Sequence, residues 1–186
     1  MSRAYRITVA ESLSRHVQVD DGVCSNLELL PVLEKDRMGE LLAAELEQKG
    51  FEREGDDEVR KDKGGVTVKV NVKSGAVSVT AEGHVDLNLE TKRTAVVETP
   101  NSPDREKALR VQAQDQLHRE AAAEEEALRR KVTAQLEGKL IDLKEELDGV
   151  VNRVTTTALK TRAAELGTVE EIHEDGSGNM TIKVRI

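Results

Sequence analysis

The chain has 186 residues with 36 acidic and 28 basic side chains, which give a net charge of −8, and it contains one Tyr, one Phe and no Trp. This length fits one domain, or one domain with an appendage, and the scarcity of aromatic residues requires an aliphatic core. The acidic balance disfavours nucleic-acid binding, which depends on neutralising phosphates. No apolar run is long enough to span a bilayer, so we expect no membrane insertion and a cytoplasmic protein.

Side chains that could act in catalysis or metal binding are few and scattered along the chain. Cys24 is the only cysteine, which excludes an intramolecular disulfide, and we expect it to be a small buried residue. His16, His84, His118 and His173 lie in different segments without metal-ligand spacing. We therefore predict that the protein is not an enzyme and has no catalytic, cofactor-binding or metal-binding residues and no cofactor. A further hypothesis is an enzyme that uses Cys24 or a histidine–carboxylate pair, and nothing in the local sequence supports a pairing of Cys24 with a histidine.

The first hundred residues predict a mostly antiparallel sheet with one packed helix. "YRITV" and "HVQV" alternate and suit an opening hairpin that "DDG" closes. "NLELLPVL" is interpreted as a third short strand, which Pro31 restricts to an edge or a strand end. The sequence thus places several strands before the first helix.

A helix and a clear hairpin follow. "EKDRMGELLAAELEQKG" puts Met38, Leu41, Leu42 and Leu46 at helical spacing, and Gly50 is positioned to terminate that helix. "VTVKVNV" and "AVSVTAEGHVDLNLE" alternate on either side of "KSG" and predict a hairpin, with a bend or bulge at the glycine of "AEGH". "TAVVE" is a candidate edge strand.

The segment from residue 102 to 166 has an almost uninterrupted helical pattern. Ser102 suits an N-cap and Pro103 suits the first helical position. Acid-first pairs at i, i+4, such as Glu106 with Arg110, indicate a helix that is substantially exposed.

The second half of this segment carries the predicted interaction or helix-packing seam. Its residues step by four and three, which is the spacing of a coiled coil, so this half should pack on another helix. The seam consists of Leu136, Leu140, Leu143, Leu147, Val150 and Val154. We expect the helix to fold back as an antiparallel helical hairpin near Gly138, with Gly149 as the second candidate turn. The rival is a continuous rod that pairs with a second chain, giving a homodimer through the helical segment.

The chain ends with "TVEEIHEDGSGNMTIKVRI", which predicts two strands joined by the loop "DGSGN". Apolar residues at 180, 182, 184 and 186 form one face of the last strand. An isolated two-stranded hairpin is marginally stable in water, so we expect this C-terminal β-hairpin to return to the sheet. The predicted fold class is α+β. The predicted divisions are a sheet body at residues 1–100, a helical arm or coiled coil at 101–167, and the hairpin at 168–186.

The order of these elements resembles a known group of bacterial proteins. "LEKDRMGELLAAELEQKGFE" followed by paired strands, a long helix and "EEIHEDGSGNMTIKVRI" is similar to the small accessory domains of FtsH ternary systems, which are encoded beside FtsH-like and MoxR-like AAA+ ATPases. The resemblance implies a non-enzymatic adaptor or accessory protein whose protein partner is an AAA+ ATPase. The alternative function is a structural, self-assembling coiled-coil protein.

Overall fold

A computed structural model describes residues 5–62, 64–98, 102–174 and 180–185 of the chain. They form an α+β fold of helices and antiparallel strands, which confirms the predicted class. In chain order the elements are β1 (Tyr5–Asn26), α1 (Lys35–Glu47), β2 (Glu52–Glu54), β3 (Asp57–Asp62), β4 (Val66–Asn71), β5 (Ala76–Val97), α2 (Pro103–Leu166), β6 (Thr168–Glu174) and β7 (Met180–Arg185).

Five strands form one sheet in the order β1-β5-β4-β3-β2, and β6 and β7 form a second, two-stranded sheet. The β4–β5 hairpin is confirmed, with Val68 opposite Val79 and Val70 opposite Val77. Strand β5 continues to Val97, so "TAVVE" is the end of that strand and the prediction of a separate edge strand was wrong.

The predicted opening hairpin is a single strand of 22 residues, β1. Its odd-numbered positions keep one phase, because Val9, Val17 and Val19 are buried on the same face. A hairpin would require a turn that reverses the chain within these residues. The buried positions instead keep the same alternation, and "DDG" lies inside the strand. The third short strand predicted at "NLELLPVL" is also absent, since residues 27–34 form neither strand nor helix.

Helix α1 is confirmed, with Met38, Leu42 and Leu46 buried and Leu41 half-buried. The helix ends at Glu47, and Gly50 follows with a φ of 81°. Glycine adopts this left-handed conformation without the steric cost that a Cβ imposes, so Gly50 ends the helical segment as predicted.

Helix α2 begins at Pro103 and runs without interruption to Leu166. The predicted helical hairpin is therefore corrected, because Gly138 and Gly149 both lie inside one helix. A single glycine costs a helix only about 1 kcal/mol relative to alanine, which the packing of its neighbours readily offsets. The predicted N-terminus holds, since the Ser102 carbonyl accepts the first backbone bonds, from Arg105 and Glu106.

The C-terminal strands pair with each other as predicted, with Val169 opposite Val184 and Ile172 opposite Ile182. Their return to the five-stranded sheet was wrong, because the described residues of β6 and β7 form a sheet of their own. The predicted "DGSGN" loop and Ile186 lie outside the described residues.

The chain divides into two compact units, and β1, β5 and α2 each contribute to both. Unit 1 contains Met1–Asp21 and Glu82–Ala134. Its core is a cluster of Val17, Val19, Leu87 and Ala121. Gly83 packs closely against α2, since a Cβ there would lie 2.6 Å from Cγ2 of Val132, and the bend or bulge predicted at this glycine stays a prediction. Glycine therefore lets the helix approach the strand.

Unit 2 contains Gly22–Ala81 and Gln135–Ile186. Val66, Val68 and Val70 of β4 are fully buried, as are Leu42 and Leu46 of α1. These residues form the aliphatic core that the composition predicts. The division predicted at residues 100 and 167 stays a prediction.

Candidate functional site

The predicted seam lies on the buried side of α2 in unit 2. Leu136, Leu143 and Leu147 are buried, Val150 and Val154 are completely inaccessible, and Leu140 is half-buried. A cavity of about 340 Å³ separates part of this seam from the sheet, and Val23, Val77 and Val79 form its opposite wall. The structure thus places the seam against strands β1 and β5 of the same chain.

Ion pairs join α2 to α1 beside the seam. Arg153 Nε lies 2.6 Å from Glu45 Oε2, and Arg37 contacts Glu165. A helix that already contacts α1 and the sheet through this side has little of the seam left for a second copy of α2. The predicted residues are therefore packing residues of the unit itself.

Arg60 on β3 holds α2 through a part-buried network. Its guanidinium donates two hydrogen bonds to Glu146, at 2.8 and 2.9 Å, and lies 4.6 Å from the centre of the Phe51 ring. The bond from Arg60 lowers the pKa of Glu146. Asp62 joins the network with its Oδ1 3.0 Å from Arg60 Nε. Each charged side chain of this network has an oppositely charged neighbour, which is the arrangement expected of a contact that stabilises the fold.

Glu58, two residues earlier on the same face of β3, has no hydrogen-bonded partner of opposite charge. Its side chain is 0% exposed, and neither carboxyl oxygen has a hydrogen-bond partner. Burial raises the pKa of Glu58, and the nearby Glu47 carboxylate raises it further. The sequence gives no sign of this residue, because "DDEVR" is interpreted equally well as a solvated charged turn.

The structure brings together two histidines that the sequence separates by dozens of residues. The rings of His16 on β1 and His84 on β5 stack with centroids 6.1 Å apart, and His16 Nδ1 lies 2.7 Å from Asp86 Oδ1. All three are exposed. Among the described residues, no group of three or more ligating side chains is arranged to hold a metal ion.

Cys24 is exposed, and the expectation that it is buried was wrong. It lies near the C-terminal end of β1, where its Sγ is 3.8 Å from Ser78 Oγ. The open cavity beside it is lined by polar groups of Asp57, Lys69 and Asn71 and by no histidine. The cysteine–histidine pair considered from the sequence does not form among these residues.

An apolar surface is formed by residues 27–33, which we call the leucine segment. The Leu27 N–H donates to the Gly75 carbonyl at 2.8 Å, which ties the segment to the turn between β4 and β5. Gly75 has a φ of 73°, and a Cβ there would lie 3.2 Å from the Leu27 carbonyl oxygen. This anchoring holds the leucine segment in place without regular secondary structure.

A cavity of about 300 Å³ lies along the leucine segment. Leu27, Leu29 and Leu33 contribute to its wall together with Met38 of α1. Leu30 is 60% exposed beside it. Cavities of this size with apolar walls accept small ligands or single side chains of a partner. Sequence reasoning missed this surface because it treated "NLELLPVL" as a strand, although its leucine content and Pro31 were the available signal.

The comparisons with known proteins identify the chain over its full length. A protein-family model described as FtsH ternary system domain X5 matches residues 1–186. The chain has no significant match among curated proteins or solved structures. No helix of the described residues is long and apolar enough to cross a membrane.

Proposed function

Because the chain belongs to the FtsH ternary system domain X5 family, as the resemblance in its sequence predicts, we propose that it is a non-enzymatic adaptor that binds an FtsH-type AAA+ ATPase in the bacterial cytoplasm. The full-length family match is the observation that carries this proposal. The family description specifies a multi-component system, and a domain of such a system acts through contact with the other components. The self-assembling coiled coil is not proposed, because its seam is buried within the chain.

We assign the ATPase contact to the leucine segment and its cavity. Leu30 is exposed there next to half-buried leucines, so a partner gains apolar burial without first unfolding the domain. The segment is also tied down at Leu27, and a fixed surface loses less conformational entropy on binding than a mobile one.

The occupant that fits this cavity is an apolar side chain followed by a carboxylate. Leucines and Met38 form the walls, while Lys35 and Lys73 line the same cavity. Lys73 Nζ already lies 2.8 Å from Asp56 Oδ1, so we assign the incoming carboxylate to Lys35. An exposed segment of the ATPase with this pattern is the expected ligand.

Binding of the purified chain to the FtsH-type ATPase of the same genome tests the proposal. Leu30→Asp should raise the Kd about 10- to 100-fold, since burying one leucine contributes about 1.5–3 kcal/mol. Lys35→Glu should weaken binding in a salt-dependent manner. Surface plasmon resonance gives the affinities, and circular dichroism verifies that each variant is folded.

Ile141→Asp is the matched control, because Ile141 is 69% exposed on α2 and lies outside the leucine segment. It should leave the affinity unchanged. Absence of ATPase binding by the unmodified chain would contradict the adaptor proposal. Binding that Leu30→Asp and Ile141→Asp affect equally would contradict only its assignment to this surface.

A further inference from the structure

The outer edge of β1 is a long strand edge without a partner strand. β1 is the terminal strand of the five-stranded sheet, and no described strand pairs with its far side. The part in unit 1, residues 5–21, contains no proline and no lysine, two of the residue types with which natural proteins block such edges. At about 3.3 Å per residue, it presents some 55 Å of backbone donors and acceptors.

The sequence of this edge is complementary to itself when two copies run antiparallel. With Leu13 placed opposite Leu13 of a second copy, Arg6 faces Asp20 and Glu11 faces Arg15. Because the pairing is two-fold symmetric, each of these opposite-charge pairs occurs twice. Opposite charges directly across a strand pair stabilise it, whereas like charges destabilise it.

The same alignment matches the apolar face. Ile7 falls opposite Val19, and Val9 falls opposite Val17. Directly opposite residues of antiparallel strands point to the same side of the sheet, so the apolar faces of the two copies become continuous. Ile7 and Leu13 are only half-buried in one chain and would gain cover from the neighbouring strand.

Neighbouring alignments lack this match. Moving the centre to Ser12 puts Val9 opposite Arg15, and moving it to Ser14 puts Glu11 opposite Val17. A shift of two residues in either direction places Glu11 opposite itself or Arg15 opposite itself. Of these alignments, only the one centred on Leu13 pairs apolar residues with apolar residues and acidic residues with basic ones.

The other open edge of unit 1 is a poorer candidate. Beyond Ala81, β5 is not paired with β4. This edge contains Lys92, and lysine is the residue type that natural proteins favour for blocking a strand edge.

We propose that the protein forms a two-fold symmetric dimer in which residues 5–21 of β1 pair antiparallel with the same residues of a second copy, centred on Leu13. The occupant of the edge is a second copy of this chain. Backbone groups of β1 that point away from β5 bond across the dimer axis, and the two sheets join into one. This surface is distinct from the leucine segment and from the α2 seam.

Disulfide trapping tests the register in the full-length chain. Cys24 is first replaced by serine, because this exposed thiol would otherwise react. Leu13→Cys should then form an intermolecular disulfide on mild oxidation, since residues directly opposite have Cα atoms about 4.5–5.5 Å apart. Gln18→Cys is the control, because residue 18 faces Thr8 of the second copy and should remain monomeric under denaturing electrophoresis.

Charge exchange tests the same pairing without a covalent bond. Arg6→Asp or Asp20→Arg alone creates two like-charged pairs and should raise the dimer Kd about tenfold, whereas the double exchange should restore it. These residues are preferred to Arg15, which also contacts Glu125 within the chain. Lys92→Glu on the exposed face of β5 is the control for net charge and should leave the Kd unchanged.

Sedimentation equilibrium supplies the readout, with a dimer at twice the chain mass of 20.5 kDa. Trapping at residue 13 but not at 18, together with restoration by the double exchange, supports the proposal. A protein that is monomeric at every concentration, equal trapping at 13 and 18, or a dimer indifferent to charge exchange overturns it. Binding of the ATPase is measured separately, so failure of either proposal is distinguishable from failure of the other.

Discussion

At the scale of residues, Glu146 and Glu58 contribute to stability with opposite pH dependences. Arg60 lowers the pKa of Glu146, so the stability contributed by that pair is present above the ordinary carboxyl range and is lost as pH falls through the folded pKa. Burial raises the pKa of Glu58 instead. The folded state then binds a proton that the unfolded state releases, and stability falls as pH rises from the ordinary value of 4.5 through the folded pKa.

Glu58→Gln should therefore stabilise the protein at pH values above the folded pKa of Glu58. The amide has a similar shape and never ionises, so the cost of burying an unpaired carboxylate disappears. We expect the free energy of unfolding to rise by about 1–3 kcal/mol above the folded pKa of Glu58. Urea denaturation across a series of pH values measures the change.

The pH dependence distinguishes this effect from a general change in packing. The gain should vanish toward acid pH, where Glu58 is protonated and neutral. Glu52→Gln, on the exposed strand β2, is the control and should change neither the stability nor its slope with pH. A loss of stability at alkaline pH in the Glu58 variant would mean that the carboxylate has a partner.

At the scale of elements, a glycine in α2 and a glycine in β5 have opposite effects on the stability of the fold. Gly138 is exposed on α2 and has nothing within 4 Å of the position of a Cβ. Gly83 on β5 packs closely against α2, with Cδ1 of Leu128 3.1 Å from the Cβ position. The first glycine is a weakness of the helix, whereas the second permits its packing.

Gly138→Ala should stabilise the protein by about 0.5–1 kcal/mol, because alanine has the higher helix propensity and meets no neighbour. Gly83→Ala should destabilise it by about 1–3 kcal/mol through overpacking against α2. Thermal or urea denaturation of both variants checks the prediction. A destabilising Gly138→Ala would indicate a turn at that residue and would contradict a continuous helix.

At the scale of the whole molecule, the two units differ in how completely their strands are paired. In unit 2, residues 77–81 of β5 have a strand on each side. In unit 1, the same strand from residue 82 onward is paired with β1 alone. Local opening requires less free energy where backbone hydrogen bonds face solvent.

Amide hydrogen exchange should record this difference along one strand. Between residues 77 and 81 all amides should exchange slowly. From residue 83 to 97 every second amide should exchange at least about tenfold faster, because it points to the open edge. Exchange measured by NMR resolves single amides, and uniform protection along β5 would show that another segment covers the edge.

The sequence by itself determined most of the elements and the family. Alternation located β4 and β5, helical spacing located α1, and Ser102 with Pro103 marked the start of α2. These signals are local, because periodicity and capping depend on residues within a few positions of one another. The order of elements then supported the resemblance that the family match confirms.

Only the tertiary structure decided what covers each apolar face. The Leu136–Val154 spacing predicts a buried stripe on α2 and was interpreted as packing on another helix, whereas the structure places Val23, Val77 and Val79 of the sheet opposite part of it. Gly138 was compatible with a turn or a continuous helix, because a cost of about 1 kcal/mol is small beside that of exposing the seam. The burial of Glu58 and the meeting of His16 with His84 depend on distant segments. Periodicity specifies which side of an element is buried, whereas the identity of its neighbour depends on long-range packing that no local pattern encodes.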